Sequence, residues 1–174
     1  MVNSSGQSVV LNGLRRVVEK SGQAVAWLTL LMVLLTFSIV ILRYGFNLGW
    51  IWLQEIVIYL HVAVFTIAAA WTLQQDGHVR VDIFYTDMPE KKRALVDLLG
   101  TVLFLIPFCL FVLIISWPYV ADSWQLLESS REAGGLPLVF VLKSLILILP
   151  ALLLAQAVIG GINAWNTIRG NSDS

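Results

Sequence analysis

The residues of this chain that could do chemistry are the few polar side chains that interrupt long apolar runs. His61 is the eleventh of 23 mostly apolar residues between Ile51 and Leu73, and Gln54 precedes it by seven residues on nearly the same helix face. An imidazole at that depth could relay protons, ligate haem or hydrogen-bond to a neighbouring helix. The other histidine, His78, lies in a charged segment, so a bis-histidine haem would lack a second ligand at matched depth. We therefore expect His61 to form a hydrogen bond between helices.

The charged residues nearest to the apolar runs suggest an ion pair. Arg43 ends the first run, and Glu55 is the fifth residue of the next run, beyond a short connection at 44–50. Because two helices joined by a short connection are antiparallel neighbours, an Arg43–Glu55 ion pair that fixes this hairpin is a reasonable hypothesis. The alternative is that the two charges lie separately at the level of the lipid headgroups.

The sequence offers no pattern for an enzyme. No nucleophile–base pair, phosphate-binding loop, pair of catalytic carboxylates or cluster of metal-ligating residues is visible. The single cysteine, Cys109, lies inside an apolar run, which is typical of a small buried or lipid-facing residue and excludes an internal disulfide. We therefore expect neither catalysis nor a cofactor.

The elements that position these residues are membrane spans. Hydrophobic residues make up 58% of the 174 positions and charged residues 13%, against about 25% charged in soluble domains. The formal net charge is zero, which argues against nucleic-acid binding. Four apolar runs are long enough as helices to cross a hydrocarbon core of about 30 Å. The sequence predicts an all-α integral membrane protein with four transmembrane helices, at about residues 24–43, 51–75, 94–121 and 136–165.

Segments beside the spans are predicted to be amphipathic and to lie along the membrane interface or, beyond the third span, to project from it. Within residues 1–21, three apolar residues at i, i+4 and i+7 share a face beside basic residues, which fits a short surface helix or, equally well, a disordered leader. Beyond Pro118, the residues Val120, Trp124 and Leu127 share a face in the same way. Pro107 and Pro118 are the predicted kink sites of the long third span.

The distribution of lysine and arginine sets the predicted orientation. Eight of these residues lie on the side of the two termini and of the connection between spans two and three, and three lie on the other side. Because cytoplasmic loops carry the excess of Lys and Arg, both termini are predicted to be cytoplasmic. Residues 1–21 and 169–174 would then be cytoplasmic flanks of a single membrane domain, 22–168.

Five short motifs, taken in order, resemble a known family. They are Arg43-Tyr44 at the end of the first span, Trp52-x-x-Glu55 in the second, Asp76-Gly77-His78-Val79-Arg80-Val81-Asp82 after it, Trp124-x-x-x-Glu128-x-Ser130 after the third, and Gly135-Leu136-Pro137 before the fourth. In this order and spacing, over roughly residues 14–168, the chain resembles the small membrane subunit of tripartite ATP-independent periplasmic (TRAP) transporters, the DctQ-like family.

The resemblance implies a multi-pass protein of the bacterial inner membrane with two protein partners besides lipid. One is a large DctM-like permease, which carries the substrate and sodium sites and moves as an elevator; the other is a periplasmic substrate-binding protein. The small subunit would serve as a scaffold and offer part of the docking surface. Because the family takes up organic acids, the resemblance favours a carboxylate substrate such as a 2-oxoacid or a dicarboxylate.

The candidate interface residues fall into three groups. Those on the outer side are Arg43, Trp52, Glu55, Trp124, Glu128, Ser130 and Pro137; His61 lies within the membrane; and His78, Arg80 and Asp82 lie in the cytoplasmic connection.

Two other functions compete with a scaffold. A four-helix electron-transfer anchor predicts paired histidines at matched depth, and a self-contained small transporter predicts uptake by this chain alone. A transporter usually has helices broken near the bilayer midplane beside polar ion ligands. Here Pro107 and Pro150 have apolar surroundings, which favours the scaffold.

Overall fold

The computed structural model describes residues 4–75, 77, 85 and 87–170, and all regular secondary structure within them is helical, without strands. The elements are α1 (Ser4–Phe46), α2 (Ile51–Gln74), α3 (Glu90–Gly100), a π-helical segment (Thr101–Leu105), α4 (Ile106–Gln125) and α5 (Val139–Arg169). Four helical stretches are long and apolar enough to cross a membrane: Ala24–Phe46, Ile51–Leu73, Glu90–Gln125 and Val139–Arg169. The prediction of an all-α protein with four membrane helices is therefore confirmed.

Helix α1 is longer than its membrane span. The sequence suggested a separate surface helix or a leader before the first span, whereas α1 runs unbroken from Ser4 to Phe46. Nothing between Lys20 and Ala24 stops a helix, because Gly22 weakens helical structure without removing a hydrogen-bond donor. At 43 residues α1 is about 65 Å long, roughly twice the thickness of a hydrocarbon core.

The turn between α1 and α2 depends on an asparagine. Asn47 has a φ of 53°, in the left-handed region that asparagine tolerates better than most residues. The amide of Leu48 then donates to the carbonyl of Leu42 at 2.9 Å, which satisfies one of the free carbonyls at the end of α1. The chain can therefore reverse within four residues and start α2 at Ile51.

The third membrane helix contains a π-helical turn that the sequence analysis missed. Residues Thr101–Leu105 form it between α3 and α4, directly before Pro107. Proline has no amide hydrogen, and its ring collides with the carbonyl four residues earlier in a regular helix, here that of Leu103. A wider turn relieves this collision. The distortion predicted at Pro107 is therefore present as the π-helical segment before it.

Helix α5 is the centre of the bundle. It contacts α1, α2, α3, α4 and the π segment, whereas α1 and α4 do not contact each other. Its buried residues include the small side chains Ala157 and Ala164, which let neighbouring helices approach closely. Cys109 of α4 is fully buried, in agreement with its expected role as a small apolar residue.

Candidate functional site

The loop between α4 and α5, residues 126–138, is closed on itself by backbone hydrogen bonds. The amide of Ser130 donates to the carbonyl of Leu136 at 2.9 Å, and the amide of Val139 donates to the carbonyl of Glu128 at 3.1 Å. These two bonds join the entering and leaving arms of the 126–138 loop. The loop therefore has a defined shape, although it contains no regular secondary structure.

Glu55 of α2 anchors both arms of this loop. The Ser130 hydroxyl donates to one carboxylate oxygen, Oε1, and the amide of Leu136 donates to the other, Oε2, at 2.6 Å. Hydrogen bonds to a carboxylate are stronger than those between neutral groups. One side chain near the start of α2 thus fixes a loop that follows 75 residues later in the chain.

The close approach of Glu55 requires a glycine in the loop. A Cβ atom on Gly135 would overlap the side chain of Ser130 and would lie 2.8 Å from Oε1 of Glu55. Any larger residue would push the carboxylate or the hydroxyl out of position. Gly135 belongs to one of the sequence motifs, but its contact with Glu55 was not predicted.

Glu128 anchors the loop to the helices on its other side. Its Oε2 accepts a hydrogen bond from Ser123 of α4 at 2.7 Å and forms an ion pair with Lys143 of α5. The Lys143 ammonium also lies 3.9 Å from the centre of the Tyr119 ring, a cation–π contact. The hydrogen bonds from Lys143 and, secondarily, from Ser123 lower the pKa of the Glu128 carboxyl below its ordinary value.

The five side chains that hold the 126–138 loop form what we call the polar clasp: Glu55, Ser123, Glu128, Ser130 and Lys143. It joins α2, α4, the loop and α5 at one end of the bundle. Both carboxylates are satisfied, and the cation is paired. A saturated set of this kind fixes structure and leaves no free group poised for catalysis.

Trp124 adds a second connection between α4 and α5 beside the clasp. Its indole nitrogen donates to the Ser144 hydroxyl at 2.8 Å, and its ring meets that of Phe140 edge-on at 4.7 Å between centroids. The Ser144 hydroxyl in turn donates to the carbonyl of Phe140 at 2.9 Å. Trp124 therefore orients α4 on α5, while half of its surface stays exposed.

Helix α4 ends where the sequence predicted an amphipathic continuation. Leu127 has a φ of 45°, and the amides of Leu127 and Glu128 donate to the carbonyls of Trp124 and Ser123, which is a Schellman-type helix end. The predicted common face of Val120, Trp124 and Leu127 is wrong: Val120 is buried with Ser123, whereas Leu127 is exposed. The bond from Ser123 to Glu128 favours stopping the helix here.

One predicted interaction is wrong, and a second is not made among the described residues. Arg43 forms no ion pair with Glu55, because the Glu55 carboxylate is bound by Ser130 and Leu136, and Arg43 is exposed. His61 forms no hydrogen bond with the described residues; it is exposed, and its ring lies tilted against that of Phe65, one turn later, at 4.6 Å between ring centres. In both cases sequence proximity or depth was the only guide, and neither determines the direction of a side chain.

The remaining candidates divide between exposed and undescribed positions. Trp52 is exposed beside Trp50, with 6.5 Å between ring centres, and Pro137 is exposed in the loop. His78, Arg80 and Asp82 lie outside the described residues. Ser123 and Lys143 were missed as partners of Glu128; a lysine inside an apolar span, with an acidic residue just before that span, was the available signal.

The opposite end of the bundle carries an open cleft of about 1140 Å³ between α2, α3 and α5. Within it the Tyr85 hydroxyl donates to Asp97 at 2.6 Å, and Arg93 donates from Nε to the carbonyl of Met88 at 3.0 Å. Across the described residues, no group of three or more His, Cys, Asp or Glu side chains could hold a metal ion. Three residues of the cleft lining, Tyr85, Arg93 and Asp97, thus connect α3 to the segment that precedes it.

Comparison with known proteins decides the family. The model of the family described as "Tripartite ATP-independent periplasmic transporters, DctQ component" matches residues 32–169, which include all four membrane spans apart from the start of the first. The chain belongs to the DctQ family of TRAP transporters. It is accordingly a small permease component and a multi-pass protein of the inner membrane.

A curated relative agrees with this assignment over part of the chain. The C4-dicarboxylate TRAP transporter small permease protein DctQ of Vibrio cholerae is 32% identical over 88 residues. That stretch covers 51% of this chain and 38% of the relative's length. No solved structure matches the chain.

Proposed function

We propose that this DctQ-family chain is the static scaffold of a sodium-coupled tripartite transporter for organic acids. In this proposal a large DctM-like permease carries the solute, and this subunit holds it in the membrane. The observation that carries the proposal is the polar clasp: the charged side chains of Glu55 and Lys143, which lie within the spans, are used to hold a loop. A translocating subunit needs such groups free along a path.

The proposed orientation puts both termini in the cytoplasm and the 126–138 loop in the periplasm. It rests on the eight-to-three distribution of basic residues. In that orientation the clasp holds a rigid loop on the side where a substrate-binding protein arrives. The exposed side chains of Leu126, Arg131 and Glu132 would then be available to the docked protein.

The experiment that tests the scaffold is recovery of the complex from native membranes. The tagged chain, extracted in mild detergent and identified by mass spectrometry with its partners, is expected to bring a large permease in a fixed ratio. Recovery of the chain alone or as a self-oligomer, under conditions that keep other membrane complexes intact, would contradict the proposal.

A second experiment tests docking. In the purified membrane complex, the double substitution Arg131→Glu and Glu132→Lys reverses two exposed charges of the loop and keeps its net charge. We expect weaker binding of the substrate-binding protein, mainly through slower association, because charges at an interface steer the encounter. An unchanged association rate at low ionic strength would exclude these residues from the docking surface.

The substrate class is proposed from the family and the curated relative alone. That relative is named for C4-dicarboxylates. We propose an organic acid with at least one carboxylate for this system. Thermal stabilisation of the partner binding protein by a panel of dicarboxylates and 2-oxoacids, with neutral sugars as controls, is expected to identify acids as its ligands.

A further inference from the structure

One face of α2 combines exposure with polar groups at membrane depth. It consists of Ile51, Gln54, Ile58, His61 and Phe65, all exposed, and we call it the α2 seam. Their spacing of three or four residues places them within a narrow stripe along the helix. Of the residues between them, Trp52 at the start of the helix is also exposed, and the others are half-buried or buried. Helix α2 contacts α1 and α5. The seam is therefore a side of α2 that the described residues leave uncovered.

His61 is the residue of the seam that most clearly requires a partner. It lies at the eleventh of 23 positions in the span, about 15 Å from the start of the helix and hence near mid-depth. A neutral imidazole has one donor and one acceptor, and lipid tails can satisfy neither. In the described part of the chain, His61 has a ring contact with Phe65 but no hydrogen bond. A polar group left in this position requires a partner at the same depth.

Gln54 adds a second polar side chain on the same line, nearer the start of the helix. It precedes His61 by two turns, about 10 Å along the axis, and its exposed amide makes no hydrogen bond within the described residues. The hydroxyls of Thr36 and Ser38 in α1, in contrast, donate to carbonyls of their own helix and need no further partner. The seam thus displays two unsatisfied side chains in register, between apolar residues that can pack.

We infer that the α2 seam receives one membrane-spanning helix of the large permease, which offers hydrogen-bonding side chains at the depths of Gln54 and His61. This deepens the proposed scaffold function and rests on it. A straight stripe with alternating apolar and polar contacts fits a single helix rather than a flat surface. A second copy of this chain, which would bring identical side chains together at each depth in a symmetric pair, is the alternative that the crosslinking experiment tests.

Site-specific photocrosslinking in the intact complex tests the inference. A benzophenone amino acid replaces Phe65 in the seam or, as a matched control, Phe111 on the exposed face of α4; their exposed fractions are 65% and 61%. Helix α4 contacts α5 but not α2, so the control lies on another side of the bundle. After irradiation in native membranes, we expect Phe65 to crosslink to the large permease and Phe111 to crosslink to it far less.

The outcomes separate the seam from the scaffold. If the complex is recovered but the probe at Phe65 crosslinks only to lipid or to a second copy of this chain, the inference about the α2 seam is wrong, and the proposed scaffold function is unaffected. If no large permease is recovered with the unmodified chain, both are overturned.

A substitution at the polar position provides an independent measure. His61→Leu is expected to reduce recovery of the large permease roughly 3- to 15-fold, whereas His61→Gln retains most of it because an amide keeps both a donor and an acceptor. The monomer should fold in both cases, since His61 holds no other helix. Equal recovery with leucine and glutamine would overturn the hydrogen-bonding role.

Discussion

At the scale of single residues, Glu55 connects parts of the chain that are far apart in sequence. Its two oxygens bind the Ser130 hydroxyl and the Leu136 amide, and no other described side chain joins α2 to the 126–138 loop by a hydrogen bond. Because both donors lose their acceptor together, a substitution of Glu55 affects both arms of the loop. Only the two backbone hydrogen bonds between the arms would then hold them together.

We expect Glu55→Ala to loosen the loop while the four spans persist. The amide of Leu136 should exchange with solvent about tenfold faster or more, because its charge-assisted hydrogen bond is lost. Glu55→Gln should have a smaller effect, since its amide oxygen can replace one acceptor. Hydrogen-exchange mass spectrometry of the loop peptide measures both, with Glu132→Ala as an exposed carboxylate control; equal exchange in all three variants would contradict the anchoring role.

Glu128 predicts a pH dependence with a definite sign. Its pKa is lowered in the folded protein, by the hydrogen bonds from Lys143 and then Ser123. A depressed carboxyl pKa stabilises the fold above the ordinary value of 4.5, and this contribution is lost as the pH falls through the folded value.

Thermal unfolding of the purified chain checks this prediction. The melting temperature of the wild type should exceed that of Glu128→Gln at neutral pH, and the gap should close as the pH falls below about 4.5. A gap that stays constant down to pH 3 would show that the Glu128 charge has no part in the stability of the loop.

At the scale of elements, the pairing of α1 with α2 depends on a small residue. A Cβ atom on Gly22 would overlap the indole ring of Trp71, so the two helices approach closely at this point. Gly45 of the same helix has open space around it. The two glycines therefore allow the effect of contact to be separated from the effect of helix propensity.

We expect Gly22→Ala to destabilise the bundle by about 1–3 kcal/mol, the usual result of overpacking. Gly45→Ala should be neutral or slightly stabilising, because alanine favours the helix. A smaller side chain at the contact, from Trp71→Leu, should recover part of the loss in the double variant. Unfolding in mixed detergent measures all four chains, and a loss of equal size at both glycines would exclude a steric cause.

The spans were predictable from the sequence because their signal is local. Length and hydropathy alone define a helix that can cross a bilayer, and each predicted span overlaps an observed one. Gly170, which has a φ of 79° directly after α5, was an available signal for the end of that helix, whereas the predicted span ended at about residue 165. The π turn before Pro107 was not readable, because a kinked helix and a widened one relieve the same collision.

The clasp was only half predictable, since its partners are distant in sequence. Glu55, Glu128 and Ser130 were singled out as residues, but the pairing of Glu55 with a hydroxyl 75 positions later depends on how α2 and α5 pack. Arg43 was predicted as the partner of Glu55 because it is close in sequence, and that prediction was wrong. Depth likewise identified His61 as unusual without indicating that its ring points outward.

At the scale of the whole molecule, the chain buries little of its own apolar surface. In the most apolar 18-residue stretch of the first span, no residue is buried inside the bundle, and in that of the last span only 22% are. Lipid can cover an apolar face at no cost, so exposure alone does not require a protein partner. His61, the polar residue at mid-depth in the α2 seam, does require one. Its position indicates the side on which the scaffold contacts its partner.

Reconstitution tests the central claim most directly. Vesicles that contain this chain alone, the large permease alone, or both are given the partner binding protein loaded with solute and an inward sodium gradient. We predict accumulation of the solute when both membrane subunits are present and none above background with this chain alone. Sodium-driven accumulation in vesicles that hold only this chain would contradict the account, because it would make the proposed scaffold a transporter in its own right.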